Sequence, residues 1–361
     1  MSSTERRGVR VLVVDDSALV REVLQRVLGR DGSLSVLTAA DPLIAARKIE
    51  ASRPDVILLD LAMPRMDGLS FLRKLMAEDP VPVVVCSAMT DGAELVMRAL
   101  HEGAVDVVKK PVLGVRGFLE DSVTTLVDAV HAAAQARVLR RGIPRLPTAT
   151  PQTPHHATAR PASPRPETLV AVGASTGGTE ALAVVLGALP TDAPGLVVVQ
   201  HMPEGFTDSF ARRLDAASRV SVKQAADGDR VEPGRVLIAP GDRHVVVQRE
   251  SGEWRVRIVD GPLVARHRPS VDVLFRSVAA AAGPSAVGVI LTGMGRDGAE
   301  GLRAMKDAGA RTLAQDEATC VVFGMPKEAI ARGAVDRVLP LPRIAQAILE
   351  QAPPARQKEA R

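Results

Sequence analysis

Short apolar runs alternate along this chain with stretches in which apolar residues return every three or four positions. That alternation leaves little choice of fold. An apolar run too short for a helix reads as a strand buried on both faces. A strand that recurs after each amphipathic helix lies parallel to the one before it. In the first part of the chain, apolar runs at 9–14, 34–39, 55–59, 81–86 and 104–108 are separated by helix-period segments near 17–29, 41–51, 68–77, 91–102 and 116–136. The pattern then breaks and resumes after residue 168. Strands are expected at 169–172, 195–200, 236–239, 287–292 and 311–315, with helices near 178–188, 206–217, 270–282, 298–308 and 325–332. Alternating residues at 244–248 and 253–259, joined across Ser251-Gly252, read as a β-hairpin.

The break between the two series is residues 137–166, which hold seven prolines, Thr and Ser, a His155-His156 pair and little apolar content. Such a segment cannot bury a core, so it is expected to be an extended tether. The expected fold is α/β, with two doubly wound parallel-sheet domains. The first is a (βα)5 unit over 8–130, and the second, over 167–352, is an α/β domain with a β-hairpin addition.

With 361 residues, 46% of them hydrophobic, the chain can bury two cores. No apolar run approaches the roughly 18 residues of a membrane span, so membrane insertion is not expected. A net charge of +4 spread among acids, with 2% aromatic residues, offers little for stacking on nucleic acid, and no nucleic-acid partner is expected. Cys86 and Cys320 stand apart without metal-ligand spacing, and residues 1–7 show no signal-peptide pattern. A reduced, cytoplasmic setting is expected.

In a parallel sheet the chemistry sits at the carboxyl ends of the strands. In the first domain those ends carry Asp15-Asp16, Asp60, Ser87 and Lys110-Pro111. Three converging carboxylates repel one another unless a cation joins them, and hard oxygen ligands suit Mg²⁺. A carboxylate so placed can attack a phosphoryl donor, with Ser87 and Lys110 stabilising the transferred group. The motifs Val-Asp-Asp-Ser, Leu-Asp-Leu-Ala-Met-Pro-Arg-Met-Asp-Gly-Leu and Lys-Lys-Pro, in this order, resemble the receiver domain of two-component response regulators. The resemblance implies that Asp60 is the phosphoacceptor and that Asp15 and Asp16, with Asp60, hold Mg²⁺. It gives Ser87 the switch hydroxyl role and Lys110 the phosphoryl contact. Receivers usually carry an aromatic switch residue three positions before the lysine, where this chain has Val107. Transmission is therefore expected to run through backbone and packing shifts.

In the second domain the strand ends carry Ser175, within Gly173-Ala-Ser-Thr-Gly-Gly178, then Gln200-His201-Met202, and then Leu291-Thr-Gly-Met-Gly-Arg-Asp297-Gly298. A small-residue turn bearing a serine could present a nucleophile or cradle a phosphate. A short-chain dehydrogenase would need a tyrosine, and the chain has none. A Walker loop would need Gly-Lys-Ser/Thr, which is also absent. A nucleophile needs a base and a carboxylate to orient it, and Ser175, His201 and Asp297 supply that set, with His244 and His267 as rival bases. Backbone N–H groups at Thr176 and in Gly293-Met294-Gly295 are placed to bind an oxyanion.

Gly173-Ala-Ser-Thr-Gly-Gly, Gln200-His-Met-Pro, Ala239-Pro-Gly-Asp-Arg-His, His267-Arg-Pro-Ser-Val-Asp and Leu291-Thr-Gly-Met-Gly-x-Asp-Gly resemble the chemotaxis protein-glutamate methylesterase family, and so does the domain order. The resemblance implies Ser175 as nucleophile, His201 as base, Asp297 as orienting acid and Met294 as an oxyanion-hole donor beside Thr176. It implies a phosphorylation-activated serine esterase that needs no cofactor for hydrolysis. Its substrates would be glutamate γ-methyl esters and selected glutamines of chemoreceptors, and its phosphodonor the chemotaxis histidine kinase. The competing reading is a response regulator whose second domain is only an interaction module, which the intact Ser175, His201 and Asp297 argue against.

Overall fold

A computed structural model of the chain describes residues 8–63, 67–88, 92–110, 116–138 and 168–351. The expected tether from 139 onward, with His155-His156, lies outside the described residues, as do Pro111 and the Pro64-Arg65-Met66 part of the first motif.

The first domain runs β1 (Val9–Val14), α1 (Ala18–Leu28), β2 (Leu34–Ala39), α2 (Pro42–Ala51), β3 (Val56–Leu59), α3 (Gly68–Glu78), β4 (Val83–Ser87), α4 (Ala93–His101), β5 (Asp106–Lys109) and α5 (Arg116–Ala134). The strands form one parallel sheet in the order β2-β1-β3-β4-β5. The central strand β3 is Val-Ile-Leu-Leu and is buried throughout, because helices cover both faces of the sheet. Ser17 caps α1 through its side chain, and Asp41 does the same for α2.

The second domain runs β6 (Leu169–Ala174), α6 (Gly178–Gly187), β7 (Gly195–Gln200), α7 (Thr207–Ala217), β8 (Ser221–Gln224), β9 (Arg235–Ile238), the hairpin β10 (His244–Glu250) and β11 (Glu253–Val259), and α8 (Val271–Ala282). It continues through β12 (Ala286–Ile290), α9 (Ala299–Asp307), β13 (Arg311–Gln315), α10 (Met325–Ala331), β14 (Arg337–Leu339) and α11 (Leu341–Gln351). Its sheet has seven strands in the order β14-β13-β12-β6-β7-β9-β8, all parallel. The chain enters at β6 in the middle, builds outward through β7, and then returns to build the other half from β12. The switch point therefore lies between β6 and β12, with β7 on the far side of β6. The two doubly wound sheets and the hairpin match the expected class. Its turn places Ser251 and Gly252 at φ 50° and 86°, the left-handed pair that a two-residue hairpin requires.

The domains pack directly on each other. Helix α4 lies against α6 and α7, and apolar side chains of both domains belong to one continuous buried cluster. Polar contacts ring this seam. Arg137 N donates to Val321 O at 3.0 Å, and Arg266 pairs with Asp128 of α5 at 3.2 Å. No described helix is long and apolar enough to cross a membrane.

Candidate active site

Two clusters of polar side chains stand at strand ends, one in each domain. In the first, Asp15 follows β1, Asp60 follows β3, Ser87 ends β4 and Lys110 follows β5. Backbone bonds lock these ends level: Asp60 N donates to Val14 O at 2.9 Å and Lys110 N donates to Ser87 O at 2.9 Å. Lys110 Nζ bridges Asp60 Oδ2 at 2.7 Å and Asp15 Oδ2 at 3.0 Å, and both carboxylates are buried. Burial pushes the Asp60 carboxyl above the usual carboxylate range despite the Lys110 ammonium. Burial also works against the Lys110 charge, yet the two carboxylates raise its pKa above the ordinary lysine value. Asp15, Asp16 and Asp60 each offer an oxygen within 4.8 Å of the others, with Asp16 open to solvent. All-oxygen donors with room for waters fit Mg²⁺, and one lysine does not neutralise three carboxylates. Val107 is buried in β5, facing Val85 of β4.

In the second domain, Ser175 follows β6, His201 follows β7, and Asp297 lies between β12 and α9. Ser175 N donates to Thr292 O at 3.0 Å, and His201 N donates to Ala174 O at 3.0 Å. These bonds extend the sheet by one residue and hold the two turns side by side. Gln200 adds a brace from below, its Nε2 donating to Ser175 O at 2.9 Å and to His201 O at 3.1 Å. Gly293 has to be glycine at this point: a Cβ there would lie 2.7 Å from Ser175 Cβ and 2.4 Å from Met325 Sδ. The Thr176 and Met294 backbone N–H groups have no protein acceptor among the described residues, which leaves both donors for a ligand.

His201 Nε2 lies 2.8 Å from Asp297 Oδ2. Asp297 also accepts from Val271 N at 2.7 Å, Asp272 N at 3.0 Å and Ser270 Oγ at 2.8 Å. Burial alone would raise this carboxyl, but the hydrogen bonds from His201 and from the start of α8 outweigh it and hold it below the usual range. An ionised Asp297 is an acceptor only, so His201 Nε2 carries the proton. Nδ1, buried and without a partner, is left as the basic nitrogen. His267 stacks on His201 with ring centroids 3.7 Å apart and planes 10° from parallel. Burial and the adjacent His201 lower His267 to about 3, so it is neutral near pH 7 and restrains the His201 ring without competing as a base. His244 is excluded more simply: its Nδ1 accepts from Ser270 N at 3.2 Å and its Nε2 lies 2.9 Å from Pro262 O. No Ser175–His201 hydrogen bond is formed.

The first domain reaches into this site. Gly177 N donates to Val105 O at 3.1 Å, and Thr176 Oγ1 donates to Asp106 Oδ2 at 2.6 Å. Sequence reasoning missed Asp106, Ser270 and Asp272 because their partners lie far away in sequence. The Arg-Pro-Ser-Val-Asp run was the available signal for the last two.

Comparison with known proteins agrees with both halves. The family model described as CheB methylesterase matches residues 170–348, and that of the response regulator receiver domain matches residues 11–116. A protein-glutamate methylesterase/protein-glutamine glutaminase 1 from Anaeromyxobacter dehalogenans is 58% identical over 349 residues, covering 95% of this chain and 99% of that one. A protein-glutamate methylesterase/protein-glutamine glutaminase 3 from Geobacter metallireducens is 55% identical, covering 95% and 99%. The crystal structure of the Thermotoga maritima CheB methylesterase catalytic domain matches with a TM-score of 0.50 and 42% identity, covering 51% of this chain and 97% of that chain.

Proposed function

Since the chain belongs to the CheB methylesterase family and carries a response regulator receiver domain ahead of the esterase, we propose that Ser175, His201 and Asp297 are its catalytic triad. The chain is a phosphorylation-activated hydrolase of chemotaxis adaptation, a protein-glutamate methylesterase and protein-glutamine glutaminase. In this reading residues 8–130 are the receiver, 137–166 the tether and 167–352 the esterase. The observation that carries the triad is the His201–Asp297 hydrogen bond of 2.8 Å, set beside the Ser175 turn at the switch point of the sheet.

Ser175 Oγ attacks the γ-carbonyl carbon of a methylated glutamate on a chemoreceptor, and His201 Nδ1 takes the hydroxyl proton. The negative charge that develops on the carbonyl oxygen is bound by the Thr176 and Met294 N–H groups, each typically worth about 3 kcal/mol in the transition state. Asp297 keeps the imidazole in the required tautomer and stabilises the imidazolium. The intermediate collapses, and the leaving methoxide receives the proton from His201 as methanol. Water, deprotonated by His201, then attacks the acyl carbon. Ser175 leaves with that proton, and the glutamate carboxylate is released. A receptor glutamine follows the same path with ammonia as the leaving group. Neither route draws on a cofactor.

In the receiver, Asp60 Oδ attacks the phosphoryl group carried by the chemotaxis histidine kinase, forming an acyl phosphate as the P–N bond breaks and the kinase imidazole leaves. A Mg²⁺ held by Asp15, Asp16 and Asp60 would supply charge neutralisation for the carboxylates and the phosphoryl oxygens. Lys110 is already within 2.7 Å of Asp60, and the Ser87 hydroxyl ends the neighbouring strand. A phosphoryl group adds about −1.5 to −2 charge next to Lys110, at one end of the strand whose other end holds Thr176. Methanol release from methylated receptor membranes tests the chemistry. Wild type should release it and Ser175→Ala should not; no release by wild type, or equal release by both, overturns the reading. An Asp60→Ala variant still activated by a small-molecule phosphodonor would remove Asp60 as acceptor.

A further inference from the structure

Asp297 and Asp272 cap each other's helices. Helix α8 begins at Val271, and its Val271 and Asp272 N–H groups end on Asp297, the residue two before α9. Helix α9 begins at Ala299, and the Gly301 N–H of its first turn ends on Asp272 Oδ1 at 2.6 Å, with Gly298 N adding a weaker pull. Each helix thus presents free N–H groups, and each is satisfied by a carboxylate carried at the entrance of the other. The arrangement demands close approach. A Cβ at Gly301 would fall 2.7 Å from Phe275 Cβ and 3.0 Å from Asp272 Cα. Ser270 ties the corner, its Oγ donating to Asp297 Oδ1 at 2.8 Å while accepting from Val273 N at 3.4 Å.

Asp272 is buried and makes no hydrogen bond to Ser175 or His201. Two buried carboxylates this close repel each other, and the N–H groups of Gly301 and Gly298 offset that repulsion only while the Asp272 acceptor oxygen holds the entrance of α9 against that of α8. We propose that Asp272 is a positioning residue for the esterase reaction, fixing α9 against α8 so that Asp297 meets His201 in the productive orientation. The inference rests on the triad reading above and extends it to a residue outside the triad. The charged and titratable groups facing His201 are Asp297, the stacked His267 and Asp106 from the receiver; those facing Asp272 are Asp297 and Arg276.

The test compares wild type, Ser175→Ala, Asp272→Ala and Asp272→Asn as full-length proteins on methylated receptor membranes. Rates are taken per active site, counted by titration with a fluorophosphonate, and for Ser175→Ala, which lacks the titrated hydroxyl, per folded protein. Asp272→Ala should lower kcat by about tenfold with little change in KM, because the orienting carboxylate is displaced and not removed. Its imidazolium, having lost part of its anionic partner, should also lose its proton more readily, so the acid limb of the pH profile of kcat/KM should move to lower pH. The downfield proton resonance of the His201–Asp297 bond should weaken with it. Asp272→Asn keeps an acceptor oxygen for Gly301, so it should stay within about threefold of wild type with its acid limb unmoved. It remains readable if the alanine variant does not fold. An alanine variant with unchanged rate per site and unmoved limb overturns the proposal, and so does an asparagine variant as impaired as a triad variant. Activity in Ser175→Ala would instead remove the triad reading itself; a dead Ser175→Ala beside an unaffected Asp272→Ala would remove only this inference.

Discussion

Asp297 is a charge in a dry place, and it stays charged because four donors, from His201, Ser270, Val271 and Asp272, surround its two oxygens. A carboxyl whose pKa is lower in the fold than in the unfolded chain stabilises the fold above its unfolded pKa. That contribution is lost as pH falls through its folded pKa. Asp297 is held low in this way, so acidification should unfold wild type more steeply than Asp297→Asn, as read from thermal midpoints between neutral and strongly acidic pH. The same variant should lose about 10³- to 10⁴-fold in kcat on receptor membranes, since an amide can hold the wrong imidazole tautomer. Gly293→Ala should also impair the enzyme, because its Cβ would have to displace Ser175 or Met325. At this scale much of the site was legible. Ser175, His201 and Asp297 each follow a strand, and parallel topology brings such residues to one edge. The roles of Ser270, Asp272 and Asp106 were not, because each depends on a partner that only packing supplies.

Among the elements, β5 spans the distance between the two chemistries. It is four residues long, or about 13 Å at the usual rise per residue, with Lys110 following one end and Asp106 at the other. Buried Val107 lies between them with no aromatic ring to flip, so the strand itself is the available connection. Removing its grip on the esterase should imitate activation. Asp106→Ala should raise the methanol release of unphosphorylated protein by about tenfold, the worth of one hydrogen bond, and reduce the further gain from a phosphodonor. The central strands were plain in the sequence because both their faces are buried, which makes them continuous apolar runs. Strands β8 and β14 escaped notice: they are short edges, Ser-Val-Lys-Gln and Arg-Val-Leu, with too few buried residues to make a pattern. Helix α11 was also missed, although Pro342 near its start and buried Ile344, Ala345 and Ile348 along one face carry a helical signal.

The whole molecule is held closed by an apolar seam and a few polar contacts, among them an exposed Arg266–Asp128 pair worth no more than about 1 kcal/mol. Burial raises the Asp106 carboxyl above its ordinary range, against the opposing pull of the Thr176 hydrogen bond. The closed form therefore takes up protons relative to the open one. Closure is most favoured below the free carboxyl's pKa and weakens as pH rises through the closed-state value. Basal activity of unphosphorylated wild type should accordingly climb more steeply than that of Asp106→Asn as pH rises above the ordinary carboxylate range, measured as methanol release. The division into two sheets was legible from the alternation and its proline-rich break. How the domains meet was not, since no local pattern records which surfaces touch. Thr176 faces two claimants: its hydroxyl holds the receiver, and its N–H is the donor proposed for the oxyanion. A residue so shared cannot pass influence in one direction only, since coupling between two sites is reciprocal. Whatever settles in the cleft must repay the receiver in kind. A fluorophosphonate bound to Ser175 should raise the steady-state phosphorylation of Asp60 by a small-molecule donor, so a busy esterase would keep its own signal alive.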